Sequence, residues 1–518
     1  MSYNWSHLGE KPWLVYIDGG GTRQTWSYAV FIETTQRLAT LLVQHGIGRG
    51  NAVAIAGHNH PDTIMAYFAC WLIGACAVPL NMTEDDARLE FILENSQAKL
   101  VLCRTEYQSR INHPRVIEVD TSSDDPAFYK AIRACAPFPM DTTNNMLDQE
   151  SLIVYTSGTT GNPKGVVLVQ RNLFADGIDI AQWHGMSASS NVMCVLPVHH
   201  VNGTIVTHVA PFIAGSTVVL NRKFSASNFF DIIISEHVNI VSVVPTLLAF
   251  LLEHHTAYPN KFSAEALPTP LHIICGAGPL TCDLAQRFED TFGVRIIHGY
   301  GLSETTCYTC FLPRDLSDKE HRSWLVEHNF PSIGVALPCN EMAIHDEQGN
   351  AVQAGIRGEI VARGSNIMKG YYNNPEANKI AFEFGWFRSG DEGFYLTNNN
   401  GVPFYFITGR IKELIIRGGV NIAPLEIDEV INKAPGVRAG ISVGFENTVY
   451  GEEVGALVVP TNNADKEEIL EYCQSHLPQH KTPKVVVFCT ELPVTSTGKY
   501  QRNKVKSLFA EWRDTQFR

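Results

Sequence analysis

Short apolar runs rich in β-branched residues, at 52–57, 99–103, 217–220, 240–244 and 272–275, punctuate the first part of the chain. Runs of this length and composition read as buried strands. Helical stretches lie between them, and the alternation predicts an α/β body with mainly parallel sheets. The longest apolar run, 65–80, is shorter than the about 20 residues a membrane helix needs and contains Gly74 and Pro79. It reads as a buried helix followed by a strand. Near residue 400, Asn398-Asn399-Asn400-Gly401 separates the strand-like runs 393–396 and 403–407, as a hairpin turn does.

After Gly409 the pattern changes. A helix over 425–432, strands over 440–444 and 454–460, an amphipathic helix over 466–477 and a strand over 484–489 predict a separate α+β domain of about 100 residues. The polar stretch 141–150 reads as a linker, and no internal repeat or low-complexity segment is visible.

With 518 residues, 45% of them hydrophobic, the chain has material for several cores, and its length suggests about three or four structural units. Forty Lys and Arg against 53 Asp and Glu give a net charge of -13, which argues against general nucleic-acid binding. Anions then fall to local cationic sites such as Lys164, Arg410 and Lys499. The first residues, MSYNWSHLGEKPW, lack a basic start followed by an apolar core, so no secretory signal is visible and a cytoplasmic location is expected. Twelve cysteines are scattered through apolar surroundings, as reduced core cysteines are. Cys307 and Cys310 form one CxxC with no second pair, which favours packing over zinc or redox chemistry. The pairs His199-His200 and His254-His255 likewise lack a complete ligand set nearby.

The densest chemistry lies at 155–165, YTSGTTGNPKG, between apolar runs 152–155 and 166–169 that both read as strands. A strand-to-strand loop is not a Walker phosphate loop, which leads into a helix and follows its lysine with Ser or Thr. Here the hydroxyls of Thr156, Ser157, Thr159 and Thr160 supply donors, and Gly158, Gly161 and Gly165 permit turns that bring amides onto an anion. Lys164 adds a point charge. Downstream, in order, come PVHHVNG at 197–203, GAGPL at 276–280, GYGLSETT at 299–306, WFRSGD at 386–391, GRIKELIIRGG at 409–419 and PVTSTGKYQR at 493–502.

These strings together resemble the adenylate-forming enzymes, the superfamily of acyl-CoA synthetases, nonribosomal-peptide adenylation domains and firefly-type luciferases. The resemblance covers nearly the whole chain. It implies a large N-terminal domain, residues 1–410, of mainly parallel α/β sheets plus a β-rich subdomain, followed by a small mobile α+β domain, residues 411–518, with the hinge at Lys412. It also implies ATP and Mg²⁺, with the phosphates on Thr156 to Thr160 and Lys164, and the metal on Glu304 and Thr159. The nucleotide would rest on Gly276, Ala277 and Gly278 and on the segment Gly299, Tyr300, Gly301, Ser303 and Thr305, with Tyr300 stacked on the base. Asp391 matches the carboxylate that accepts from the ribose hydroxyls, Arg410 a ribose or phosphate contact, and Lys499 the mobile lysine that bridges acid and phosphate. WFRSGD departs mildly from the family pattern, with Ser389 where Thr is common.

Two features bear on the substrates. Amino-acid-activating members place an aspartate in the PVHHVNG region, where His200 and Asn202 stand here, and an unpaired buried ammonium is expensive. A non-amino carboxylic acid is therefore expected, with His200 as gate or orienter beside the acyl group and an acyl pocket shaped by 243–252 and the apolar residues around Cys307. GGVNIAPLEIDE at 418–429 is closer to the CoA-ligase version of its motif, which favours coenzyme A, with Arg417, Gly418 and Gly419 lining the thiol tunnel. The alternatives are a stand-alone enzyme that loads a carrier-protein phosphopantetheine and a non-catalytic nucleotide-binding relative.

Overall fold

The computed structural model describes residues 8–120, 126–140, 146–156, 162–259, 262–268, 270–494 and 500–517. Its strands form three sheets. In the first, Ala52–Ala56, Cys76–Leu80, Leu100–Arg104 and Val116–Val119 run parallel, Glu150–Thr156 joins parallel to Cys76–Leu80, and Lys164–Val169 returns antiparallel beside it. In the second, Pro12–Ile17, Thr217–Asn221, Asn191–Cys194, Ile240–Val243, His272–Cys275 and Arg295–Tyr300 are neighbours in parallel. Apart from the edge strand Val116–Val119, the central residues of these parallel strands are buried, because each sheet is covered on both faces, and this is why they read as unbroken apolar runs.

Helices Tyr28–Gln44, Pro61–Leu72 and Gln170–Trp183 share one core with both sheets: Leu38, Met65 and Ile180 pack with Val53 and Leu102 of the first and Val218 and Leu220 of the second. Their starts follow local chemistry. Ser27 accepts the Val30 amide, and Pro61 occupies the first turn where a missing N–H costs nothing. The carboxyl ends of the two sheets are tied at Asn59, whose Nδ2 donates to Leu196 O and Asn221 O and whose Oδ1 accepts from Val198 N.

The β-rich part expected from the sequence is continuous with the second sheet. Beyond Arg295–Tyr300 the order continues antiparallel through Cys310–Phe311, Ser332–Ala336, Pro403–Arg410, Phe387–Thr397, Gly358–Gly364 and Asn340–His345. The hairpin near residue 400 is present, closed by Asn398 N–H to Val402 O with Gly401 at φ 79°. The third sheet comprises Val420–Ile422, Ile415–Arg417, Gly451–Pro460, Val437–Asn447 and Val485–Phe488. Helices Pro424–Ile431 and Lys466–His476 cover one of its faces and the short helix Lys506–Trp512 the other. Among the described residues no helix is long and apolar enough to cross a membrane.

Two local features were not legible beforehand. Asn202–Val209 forms a π-helical stretch. The run after GYGLSETT is strand only at Cys310–Phe311, because Thr306 sits at φ 65° and turns the chain. All twelve cysteines are free, Cys307 and Cys310 are buried, and no cluster of His, Cys, Asp and Glu fit for a metal occurs among the described residues.

Asp176, fully buried on helix Gln170–Trp183, supports that turn by accepting the Tyr308 amide on Oδ2 at 3.2 Å, while its Oδ1 lacks a well-formed hydrogen bond among the described residues. Burial raises its pKa well above the ordinary carboxylate range. The folded state therefore holds this proton more tightly than the unfolded chain does. The associated stability is complete below the ordinary carboxylate pKa of about 4 and declines as pH rises toward and through the folded value. Asp176→Asn, which mimics the protonated form, is expected to flatten this decline and to melt higher than wild type at about pH 8, by roughly 1–3 kcal/mol of stability; thermal melts of both proteins between about pH 5 and pH 9 check it.

Candidate active site

Parallel strands His272–Cys275 and Arg295–Tyr300 end side by side, and the segments beyond them wall a cavity of about 860 Å³, part of it open to solvent. Crevices at strand carboxyl ends are where open α/β sheets bind ligands. Ala277, Gly278, Tyr300, Gly301 and Leu302 form one side; Asp391, Gly409 and Arg410 from the antiparallel extension form a second; Pro424, Leu425, Tyr500 and Arg502 arrive from the C-terminal part of the chain. The backbone here is tightly packed. A Cβ on Gly301 would lie 1.8 Å from Cys307 O, and one on Gly276 would meet Gly299 O and the Tyr308 hydroxyl, each at 2.6 Å. Gly276 thus serves strand packing, and it is Ala277 and Gly278 that face the cavity. Ala277 and Thr306 both adopt left-handed conformations, φ 61° and 65°, which cost about 1–3 kcal/mol in a non-glycine residue unless the surroundings hold them. Thr306 is held by its hydroxyl, which donates to Asn366 O at 2.6 Å.

Asp391 is the electrostatic centre of the cavity. It is 1% exposed, its Oδ2 accepts the Tyr300 hydroxyl at 2.5 Å, and Arg410 Nε lies 2.8 Å from Oδ1. That approach is off the line of a hydrogen bond, so Oδ1 accepts none among the described residues. A buried carboxylate oxygen without a donor, on a cavity wall, is suited to a ligand hydroxyl. The charge of Asp391 raises the Arg410 pKa further, and burial, with the same charge next in effect, raises that of the Tyr300 hydroxyl. Ser389 explains why the departure from Thr is harmless. Its hydroxyl donates to Ile360 O at 2.6 Å and accepts the Asp391 amide at 3.0 Å, and either residue type supplies that group.

A second polar group forms at the mouth of the 155–165 loop. Tyr371 pairs with Val166 across a short antiparallel bridge, its hydroxyl donates to Glu304 Oε1 at 2.9 Å, and Lys164 Nζ lies 4.8 Å from its ring centroid. One aromatic side chain thus couples the two charges expected to meet polyphosphate and metal. Burial, and then the Glu304 charge, raise the Tyr371 pKa, so the hydroxyl stays a donor. Met368 N–H to Glu304 O at 2.8 Å fixes the Glu304 turn, Ser303–Thr305, from the same segment. Thr305 is turned inward, its hydroxyl bonded to Leu302 N and Leu302 O, as a local cap. Ser303 is half-buried in the turn, and Thr156, also half-buried, closes the base of the loop.

The remaining expected residues are spread out. Ser157, Gly158, Thr159, Thr160 and Lys499 lie outside the described residues. His200 stands at the start of the π-helical stretch, its ring 4.3 Å from that of His199. Lys412 is exposed in the turn Ile411–Glu413, and Arg417, Gly418 and Gly419 form a hairpin tip on the third sheet, away from the cavity lining. Gly418 and Gly419, at φ 58° and 83°, give that two-residue turn the left-handed pair it requires. Arg417 is committed to buried Glu453 at 2.6 Å and lies over the Tyr450 ring at 3.9 Å. Sequence reasoning missed Tyr371, Pro424, Leu425 and Tyr500. Only the GYYNNP string after Lys369 marked Tyr371, and its partners lie 67 and more residues away.

Comparison with known proteins fits this geometry. Residues 3–372 match the family model of the AMP-binding enzymes, and residues 426–499 that of the AMP-binding enzyme C-terminal domain. The chain is 33% identical over 505 residues to a probable CoA ligase, CCL9, of Humulus lupulus, covering 93% of this chain and 91% of that protein. It is 32% identical over 515 residues to the sulfoacetate–CoA ligase of Cupriavidus necator, covering 96% and 94%. Among solved structures, ATP-bound MatB from Rhodopseudomonas palustris superposes with a TM-score of 0.87 at 25% identity, over 98% of this chain and 97% of that one.

With the cavity, its buried carboxylate and both family domains in place, the chain belongs to the AMP-binding family of adenylate-forming enzymes, as an acid–CoA ligase that uses ATP to make an acyl adenylate and passes the acyl group to coenzyme A.

Proposed function

We propose that the acid is a non-amino carboxylic acid, and the observation that carries this is the neutral network around Asn202, two residues after His200 in the chain. Asn202 Nδ2 donates to the Tyr308 hydroxyl at 3.1 Å, and Ser242 Oγ donates to Asn202 Oδ1 at 2.7 Å. All three are buried, and the segment 197–203 contains no carboxylate. A substrate ammonium placed there would be buried without a counter-charge, which costs several kcal/mol. Val243, Leu248, Leu251 and Leu252, assigned from the sequence to the acyl pocket, are buried side chains close in the chain to Ser242.

The division of labour follows from charge. Acid carboxylate and triphosphate repel one another, so the site must supply cations and oriented donors. Lys164 and the hydroxyl-rich loop hold the β- and γ-phosphates. Glu304, half-buried and fixed by Tyr371, fits one carboxylate ligand of Mg²⁺, an ion that takes its other positions from phosphate oxygens and waters. When bound, that ion neutralises phosphate charge. Asp391 Oδ1 takes a ribose hydroxyl, Arg410 sits between ribose and phosphate, and Tyr300 turns its ring to the base while its hydroxyl stays on Asp391.

Lys499 bridges the acid carboxylate and the α-phosphate in the first half-reaction; its chain neighbour Tyr500 lines the cavity. Residues 1–410 and 411–518 then act as two domains that turn about Lys412, bringing Arg417, Gly418 and Gly419 to the thiol path and leaving His200 to orient the acyl group.

Release of AMP from ATP is expected to rise sharply with coenzyme A for one class among aliphatic, aromatic and dicarboxylic acids, and for no α-amino acid. Adenylation indifferent to coenzyme A would instead point to a carrier-protein thiol. Lys499→Ala should abolish pyrophosphate exchange yet spare thioester formation from supplied acyl adenylate; equal loss of both would sink that assignment. Tyr371→Phe keeps the ring under Lys164 but removes the bond to Glu304, so titration with MgATP should give about a tenfold higher KM with a smaller change in kcat.

A further inference from the structure

Helix Pro424–Ile431 packs on the third sheet, yet its outer side reaches into the rest of the molecule. Glu429 Oε2 accepts the Cys282 amide at 3.0 Å and Oε1 the Asp283 amide at 3.1 Å, which places one carboxylate across the first two backbone donors of helix Cys282–Phe292. Thr281 caps the Leu284 amide, so the Glu429 carboxylate completes that helix end from outside. Such a contact combines two charge-assisted hydrogen bonds with the positive end of a helix dipole. Among the described residues, the ion pairs between these parts of the chain are looser: Arg357 to Glu426 at 3.7 Å, and Arg438 to Glu253 at 3.9 Å between two exposed side chains. Pairs of that kind contribute little.

The same helix also anchors the segment that follows Lys499. Asp428, next to Glu429, is buried and pairs with both terminal nitrogens of Arg502, while Arg502 Nη1 also donates to Ser442 O at 2.6 Å. Arg502 and Tyr500 line the cavity beside Asp391 and Arg410. A single helical turn therefore grips the N-terminal domain through Glu429 and holds the 500–502 segment through Asp428.

We infer that Glu429 is a positioning residue for the first half-reaction: by docking on the Cys282 and Asp283 amides it sets the orientation in which the 500–502 segment faces the nucleotide. This rests on the adenylation reading above for its consequence, though not for the contact. Once the C-terminal domain turns about Lys412 the clamp is lost, so Glu429 has no part to play in thioester formation.

The test uses full-length Glu429→Ala and Glu429→Gln, with Arg438→Ala as a surface ion-pair control. Amide hydrogen exchange is followed at residues 282–284, and both half-reactions are measured with whichever acid of the panel gives most AMP release. Glu429→Ala is expected to speed exchange of the Cys282 and Asp283 amides, to lower pyrophosphate exchange about tenfold, and to change thioester formation from supplied acyl adenylate less than about twofold. Glu429→Gln, which keeps one acceptor oxygen and serves if the alanine variant misfolds, should fall between it and wild type; Arg438→Ala should match wild type. Unchanged amide exchange, or equal losses in both half-reactions, overturns the inference. If no acid is activated, the adenylation reading fails by itself, and the exchange measurement still decides the clamp.

Discussion

The buried carboxylate of Asp391 is the constraint around which the cavity is arranged. A charge at 1% exposure is tolerable only beside a counter-charge and a donor, and these come from Arg410 and Tyr300. Each partner brings an element with it. Tyr300 ends the last strand of the parallel sheet, Asp391 and Arg410 face one another across the antiparallel pair Phe387–Thr397 and Pro403–Arg410, and Arg410 immediately precedes the turn that carries Lys412. The requirement to pair one anion thus joins the two halves of the large sheet at the point where the chain leaves for the third. The same anion keeps a lone acceptor oxygen for a ligand.

The rest of the site is stiffened from behind. The turn bearing Glu304 holds a left-handed Thr306, and the residues that over-determine it are buried polar groups. Asp176 accepts the Tyr308 amide, Asn366 Nδ2 donates to Tyr308 O at 2.9 Å, and Asn172 Nδ2 donates to Ser365 O and Ile367 O. These groups lie outside the cavity lining, yet they fix where Glu304 points. Strain in the turn and burial of polar atoms beneath it belong to one device: the polar partners hold a backbone that would otherwise relax.

The small domain meets this frame through polar and apolar groups of one helix, Pro424–Ile431. Ile427 and Ile431 of that helix pack with Val454 and Ile469 in the small domain's own apolar core, while Leu425 packs against the core that holds Leu280 and Phe330 and Glu429 accepts two backbone amides.

Much of the site was legible in the sequence because its chemistry is carried by contiguous strings. YTSGTTGNPKG, GYGLSETT and WFRSGD each bring several polar or loop-forming groups within a few residues, and strand-length apolar runs beside them mark strand ends. The parallel sheets were equally readable, since strands buried on both faces are apolar throughout. What only the tertiary structure decided is pairing between distant strings. Tyr371 joins Lys164 and Glu304 across gaps of more than 200 and of 67 residues, Gly276 makes room for the Tyr308 hydroxyl, and Glu429 caps a helix 146 residues earlier. Local pattern records which element a residue belongs to and which groups it offers; which group answers it depends on how the elements pack, and that information is not local.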